Sequence, residues 1–237
     1  MGIYYVHVDS HNRDSNMYPS GNSYIMYLQT QIKNPVRADL VSAKVPNSMY
    51  NITAGSNTIT VNGSILGIPP GFYSSTTLET ALTPNFTFLP AQGKFLANNQ
   101  FTISSLQLSK CLGFPLSSSG GSVTYSAGSI SPNVVDFSLN EYVFLDIEEF
   151  RTPAMSDAQA LPVSSTNTGM FFAPIPMDVT STIIKHFKEC SDYRISAHIP
   201  SQTLSRLTVR WYDRNRNLLN FQGYENNAFI LRIHTDP

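Results

Sequence analysis

Asp146 and Glu148, two residues apart in EYVFLDIEEF, are the pair whose type and spacing most directly propose chemistry. On a strand they would share one face about 6 to 7 Å apart, near the ~5–5.5 Å separation of a retaining glycosidase's carboxyl groups. The commoner reading is the acidic edge of a solvated strand, and no sugar-stacking aromatic can be located beside the pair. His7, Asp9 and His11 would project from one face if the first strand ran that far, giving a sparse set of metal ligands. His186, His198 and His234 stand singly, as polar surface or interface residues. Cys111, between Lys110 and Leu112 on a short helical turn, reads as a buried small hydrophobe. With Cys190 it makes no disulfide framework, so both are expected as free thiols of a chain made in a reducing compartment. Neither a G-x-S-x-G elbow nor a phosphate-cradling G-x-x-x-x-G-K-[ST] or G-x-G-x-x-G loop occurs. The expectation is a protein without catalytic, cofactor-binding or metal residues, and not an enzyme.

Composition points the same way. Apolar residues make up 41% of 237, enough for a core, while charged residues are 13%, against about 25% in ordinary soluble domains. So sparse a charge suits an exterior that meets other protein, because interface cores are depleted in charge. A net charge of −1 offers no basic footprint, so nucleic acid is not expected as a partner. The local cluster Arg206, Arg210, Arg214 and Arg216 reads as ion-pairing. No apolar run reaches the roughly 18 residues of a membrane span, and MGIYYVHVD lacks the basic flank and apolar stretch of a signal peptide. Without such a signal the sequons at Asn51, Asn62 and Asn85 are not expected to meet the glycosylation machinery.

The elements that must position these residues are short alternating runs broken by Gly, Pro, Asn and Ser, the pattern of a sandwich or barrel. Strands are predicted over 3–9, 24–29, 39–45, 58–61, 101–104, 141–150, 182–187, 206–212 and 228–234. In the third, Val41, Ala43 and Val45 would form the buried face. Val143, Leu145 and Ile147 would face the core with Asp146 and Glu148 outward. Two short helices interrupt the strands. One spans 76–82, with Thr76 as N-cap answered by Glu79; the other spans 106–112 and ends at Gly113. Both are taken as covers over the open ends of the sandwich. Residues 115–133 and 152–168 read as long polar loops, disordered or functional. The whole, residues 1–237, is expected to be one eight-stranded antiparallel jelly-roll domain, with residues 1–20 as an N-terminal arm.

The order of the remaining motifs carries a resemblance. Asp9-Ser10, Arg13-Asp14 and Tyr18-Pro19 precede Asn34-Pro35, Val45-Pro46-Asn47 and Tyr50-Asn51-Ile52. Ile68-Pro-Pro-Gly-Phe-Tyr73, Leu112-Gly-Phe114, Leu207-Thr-Val-Arg-Trp-Tyr-Asp213, Asn220-Phe221 and Glu225-Asn-Asn-Ala-Phe-Ile-Leu231 follow. Together they resemble the small single jelly-roll capsid proteins of nucleocytoplasmic large DNA viruses, in a chlorovirus-like form. That resemblance implies a structural role as penton protein. A homopentamer would close each five-fold vertex of an icosahedral virion and touch the surrounding major and minor capsid proteins, with no cofactor and no membrane span. Assembly would take place in the host cytoplasm. The alternatives are another minor capsid protein or a carbohydrate-binding jelly-roll module.

Overall fold

The computed structural model describes residues 2–138, 142–151, 172–179, 183–190, 193–213, 216–223 and 226–237. In chain order its strands are β1 (Gly2–Asp9), β2 (Ser23–Lys33), β3 (Pro35–Pro46), β4 (Thr58–Val61), β5 (Ser64–Gly67), β6 (Phe86–Leu89), β7 (Lys94–Ala97), β8 (Phe101–Ile103), β9 (Val123–Tyr125), β10 (Tyr142–Ile147), β11 (Ala173–Pro176), β12 (Ile184–Lys188), β13 (Ile195–His198), β14 (Thr203–Tyr212) and β15 (Ala228–Thr235). Helix α1 is Ser75–Leu82 and α2 is Leu106–Leu112. Where the sequence reads as one domain, the fold separates two compact units, Met1–Met49 with Asn140–Pro237, and Tyr50–Leu139. The physical reason is that residues 50–139 bury an apolar core of their own.

In the first unit the pairing is nested and antiparallel throughout. β1 pairs with β15, β2 with β14, β3 with β12 and β13, and β10 with β11. β15 also pairs with β3, and β10 with β14, which gives two sheets, β1-β15-β3-β12/β13 and β11-β10-β14-β2. A long hairpin wound on itself produces this first-with-last order, so the unit is an eight-stranded jelly roll in which β12 and β13 are halves of one interrupted strand. The predicted N-terminal arm is corrected accordingly. Gly2–Asp9 is a sheet strand, and the Arg13 guanidinium donates to the carbonyls of Ser10, Tyr18 and Pro19, folding the following turn onto itself.

Alternation fills the space between the sheets. Val143, Leu145 and Ile147 on β10 meet the expectation, and Leu207, Val209 and Trp211 on β14 are buried beside them. From the other sheet come Phe229, Leu231 and Ile233, and the rings of Trp211 and Phe229 meet edge to face at 6.2 Å. Asn227 ties the layers together. Its Oδ1 accepts from Tyr24 Oη at 3.0 Å and Trp211 Nε1 at 2.9 Å, while its Nδ2 donates to the Gly21 carbonyl at 2.8 Å. Val41 departs from the predicted face. The inward residues of β3 are Ala38, Leu40, Ala43 and Val45, because a register shift opposite Ile230 and Leu231 inserts one extra residue, and a bulge reverses side-chain parity. At the same level the partner strand breaks between β12 and β13, where Glu189 N–H donates to the Val41 carbonyl at 2.8 Å.

The second unit has the sheet β5-β4-β8-β9 and the hairpin β6-β7. Asn62 and Gly63, with φ of 49° and 81°, turn β4 into β5 in the manner of a two-residue I′ hairpin. Phe101 lies at the centre of an aromatic cluster, 4.8 Å from Phe86, 4.9 Å from Phe114 and 5.4 Å from Tyr125. The two helices are corrected from covers to contributors to this core, burying Leu78, Leu82, Leu108, Cys111 and Leu112. α1 is capped by Ser74 with Thr77 closing the box, not by Thr76 with Glu79; Glu79 instead accepts from Phe88 N–H at 3.0 Å. α2 ends as expected, at Gly113 in the left-handed region. Residues 115–133 are no free loop either. They contain β9, stack Tyr125 on Phe101, and bond Ser131 N–H to the Phe95 carbonyl. Residues 152–168 lie outside the described residues.

Candidate functional site

The residues proposed for chemistry are dispersed or already engaged. β10 stops at Ile147, so Glu148 falls in a 3-10 turn rather than on the strand face of Asp146. Asp146 is fully buried and paired with Arg151, while Glu148 pairs with Arg210 at 2.9 Å. Burial pushes the Asp146 carboxyl up, opposed by the Arg151 bond and charge and by Arg210. The pair therefore lacks the open cleft of a glycosidase. The set His7, Asp9, His11 fails because β1 ends at Asp9, whose carboxylate caps the next turn by accepting from His11 N–H at 2.9 Å. Among the described residues no three His, Cys, Asp or Glu side chains cluster as metal ligands. Both cysteines are free thiols, and burial, reinforced by the Asp136 charge, pushes the Cys111 thiol up to about 12.

Arg206 and Arg210 pair with Glu149 and Glu148. Arg214 lies outside the described residues, and Arg216 sits in a turn whose N–H donates to the Asp213 carbonyl. The second unit carries a groove of about 450 Å³ lined by Leu106, Lys110, Leu116, Val134 and Asp136 among others. Its lining has no aromatic side chain on which a sugar could stack. Asn51, the first sequon residue, is buried and holds the Tyr73 backbone through two 2.7 Å bonds.

What sequence reading missed is Asp39. It is fully buried yet lies on the outward row of β3. Its carboxylate accepts from Ser196 Oγ at 2.7 Å, Arg232 at 2.8 and 3.0 Å, and Arg37 at 3.1 and 3.2 Å, and bonds His234 Nε2 at 2.9 Å. Arg232 continues to Glu189, which also holds Arg194. Burial alone would push the Asp39 carboxyl up; the bonds from Ser196, Arg232 and His234, with the Arg37 charge, outweigh it and hold it well below the usual carboxylate range. The available signal was a carboxylate inside an apolar run with arginine two residues before it, since a buried charge must be paired.

The free edges complete the surface. β1 and β2 each end a sheet, and they expose Ile3 by 56%, Tyr5 by 66% and Tyr27 by 73%. Unpaired edges bearing apolar side chains are templates for association unless they are covered or charged.

Nested strand order and an all-β framework define the class as a single jelly roll. Among solved structures, the mavirus penton protein aligns over 99% of this chain and 100% of its own, with a TM-score of 0.53 and 9% identity. A chain of the Sputnik virophage structure determined by cryo-EM aligns over 99% of this chain and 98% of its own, with a TM-score of 0.46 and 11% identity. Residues 2–108 match the model of a family of unknown function, DUF5901. No curated protein sequence matches the chain. Among the described residues no helix is long and apolar enough to cross a membrane.

Proposed function

We propose that this chain is a structural capsid protein of the penton kind, five copies of which close the five-fold vertices of an icosahedral DNA-virus particle. The observation that carries the reading is the end-to-end alignment with a penton protein, 99% of one chain on 100% of the other. The free edges support it physically. Ile3, Tyr4 and Tyr27 lie at the β1 and β2 edges, and Tyr142, Ile183 and Tyr193 lie exposed elsewhere on the same unit. Two different apolar surfaces allow a head-to-tail contact, which closes into a ring when the rotation permits. Major and minor capsid proteins would meet the ring around its rim, after synthesis and assembly in the host cytoplasm. The motif order shared with nucleocytoplasmic large DNA virus proteins supports a host virus of that kind.

Light scattering on the purified chain and particle reconstruction by electron microscopy test this. A mass of five chains and density at the vertices are expected. A stable monomer absent from particles would overturn it.

A further inference from the structure

We propose that the outer face of the β1-β15-β3-β12/β13 sheet binds single-stranded nucleic acid. Strand pairing gathers onto this face residues that are scattered in sequence. Of the chain's five histidines, four lie on it: His7 opposite Ile230, His234 and His198 on either side of Arg37, and His186 opposite Lys44. Tyr5 stands on the same face opposite Arg232, which in turn is opposite Asp39.

Among the described residues Arg37, Lys44, Lys188, Arg194 and Arg232 outnumber Asp9, Asp39 and Glu189 on this face, although the chain's net charge is −1. The opposite sheet is nearer balance, its Arg206, Arg210 and Arg151 being matched by Glu149, Glu148 and Asp146, with Lys33 beside them. A net charge of −1 therefore averages over a surface that is locally basic. Asp39 acts here as a positioning residue. Fully buried, it anchors Arg37, whose side chain remains 45% exposed.

The shape selects the form of nucleic acid. A duplex major groove admits a helix or a two-stranded ribbon, which a face four strands wide cannot enter. A single strand can lie across it with its bases on rings, as on other platforms that combine cations with exposed aromatics. Tyr5 is 66% exposed, and the His7, His186 and His198 rings are exposed among the cations.

Fluorescence anisotropy of the full chain with a fluorescein-labelled oligothymidylate, about twelve nucleotides long and within single-strand site sizes, tests the proposal. Binding is expected at low salt, with log K falling against log salt at a slope of roughly −2, as about three phosphate contacts, from Lys44, Lys188 and the half-exposed Arg37, require. The double variant Lys44→Glu/Lys188→Glu should lose affinity at least about tenfold. Tyr5→Ala should lose several-fold with an unchanged salt slope, and Lys110→Glu in the second unit should change nothing. Trp211 fluorescence confirms folding, and the exposed Tyr5 carries the test if the charge reversals disturb it. No binding, equal binding of a duplex, or binding to phosphatidylserine vesicles without the oligonucleotide would overturn the proposal, as would an equal loss in Lys110→Glu. The capsid reading fails separately: a monomer that binds the oligonucleotide removes the ring and leaves this face intact.

Discussion

Replacing Asp39 with Asn tests whether the buried carboxylate holds the outer sheet face together. Removing one member of a buried ionic cluster generally costs about 3–5 kcal/mol, because its partners stay desolvated without a counter-charge. Here the loss is softened. Arg232 keeps Glu189, Arg37 reaches water through a half-exposed side chain, and the amide retains one acceptor oxygen, so about 2–3 kcal/mol is expected. Urea unfolding followed by the chain's one tryptophan, Trp211 in the buried jelly-roll core, reads it as a lower midpoint with unchanged slope. The native carboxyl titrates below the unfolded one, since the bonds from Ser196, Arg232 and His234 overcome its desolvation. Its contribution is therefore complete above the unfolded pKa of about 3.9 and is lost as the pH falls further. The wild-type advantage should be full near pH 7 and close progressively below about pH 4. A gap under ~1 kcal/mol at neutral pH, or one as large at pH ~2 as at pH ~7, would refute the assignment.

Three further outcomes are expected. Asn227→Ala leaves Tyr24 Oη, Trp211 Nε1 and the Gly21 carbonyl without the bonds they make now, and should cost about 3 kcal/mol or more, with a shifted Trp211 emission maximum. Gly113→Ala sets a Cβ 2.3 Å from the Asn133 carbonyl oxygen at φ +73°; hydrogen exchange should rise within residues 50–139 while β14 and β15 keep their protection. A thiol reagent at pH 8 should modify Cys190 alone in the native chain and both cysteines in denaturant, because Cys190 is exposed and Cys111 is buried with its thiol pushed up to about 12.

Long, cleanly alternating strands such as β14 and β15 were legible because one face packs and the other does not. Of the short ones β4 and β8 were found, but β5, β6, β7, β9, β11 and β13, with three or four residues each, were not, because so few residues barely establish a period. β5 could have been found from Asn62-Gly63, which reads as a hairpin turn as readily as part of a sequon. Inward parity on β3 was misjudged at Val41 because a bulge depends on its partners, not on its own residues. The same non-locality hid the Asp39 cluster, whose members Arg232 and His234 lie more than 190 positions away. Histidines that stand singly in sequence share a face only because β1 pairs with β15, and β15, β12 and β13 all pair with β3.

That first-with-last pairing sets an order of events during synthesis. β1 leaves the ribosome before the other strands, yet its ladder partner β15 is made more than 200 residues later. At the usual ~5–20 residues per second, the strand waits on the order of ten seconds or more with its apolar side chains unprotected. The second unit has only local partners and can complete its core during that interval. A stall or premature stop before Ala228 would release a chain with one finished unit and an unclosed jelly roll, β1 and β3 lacking β15 between them. Such a species, rather than the native protein, is the one a host chaperone would hold.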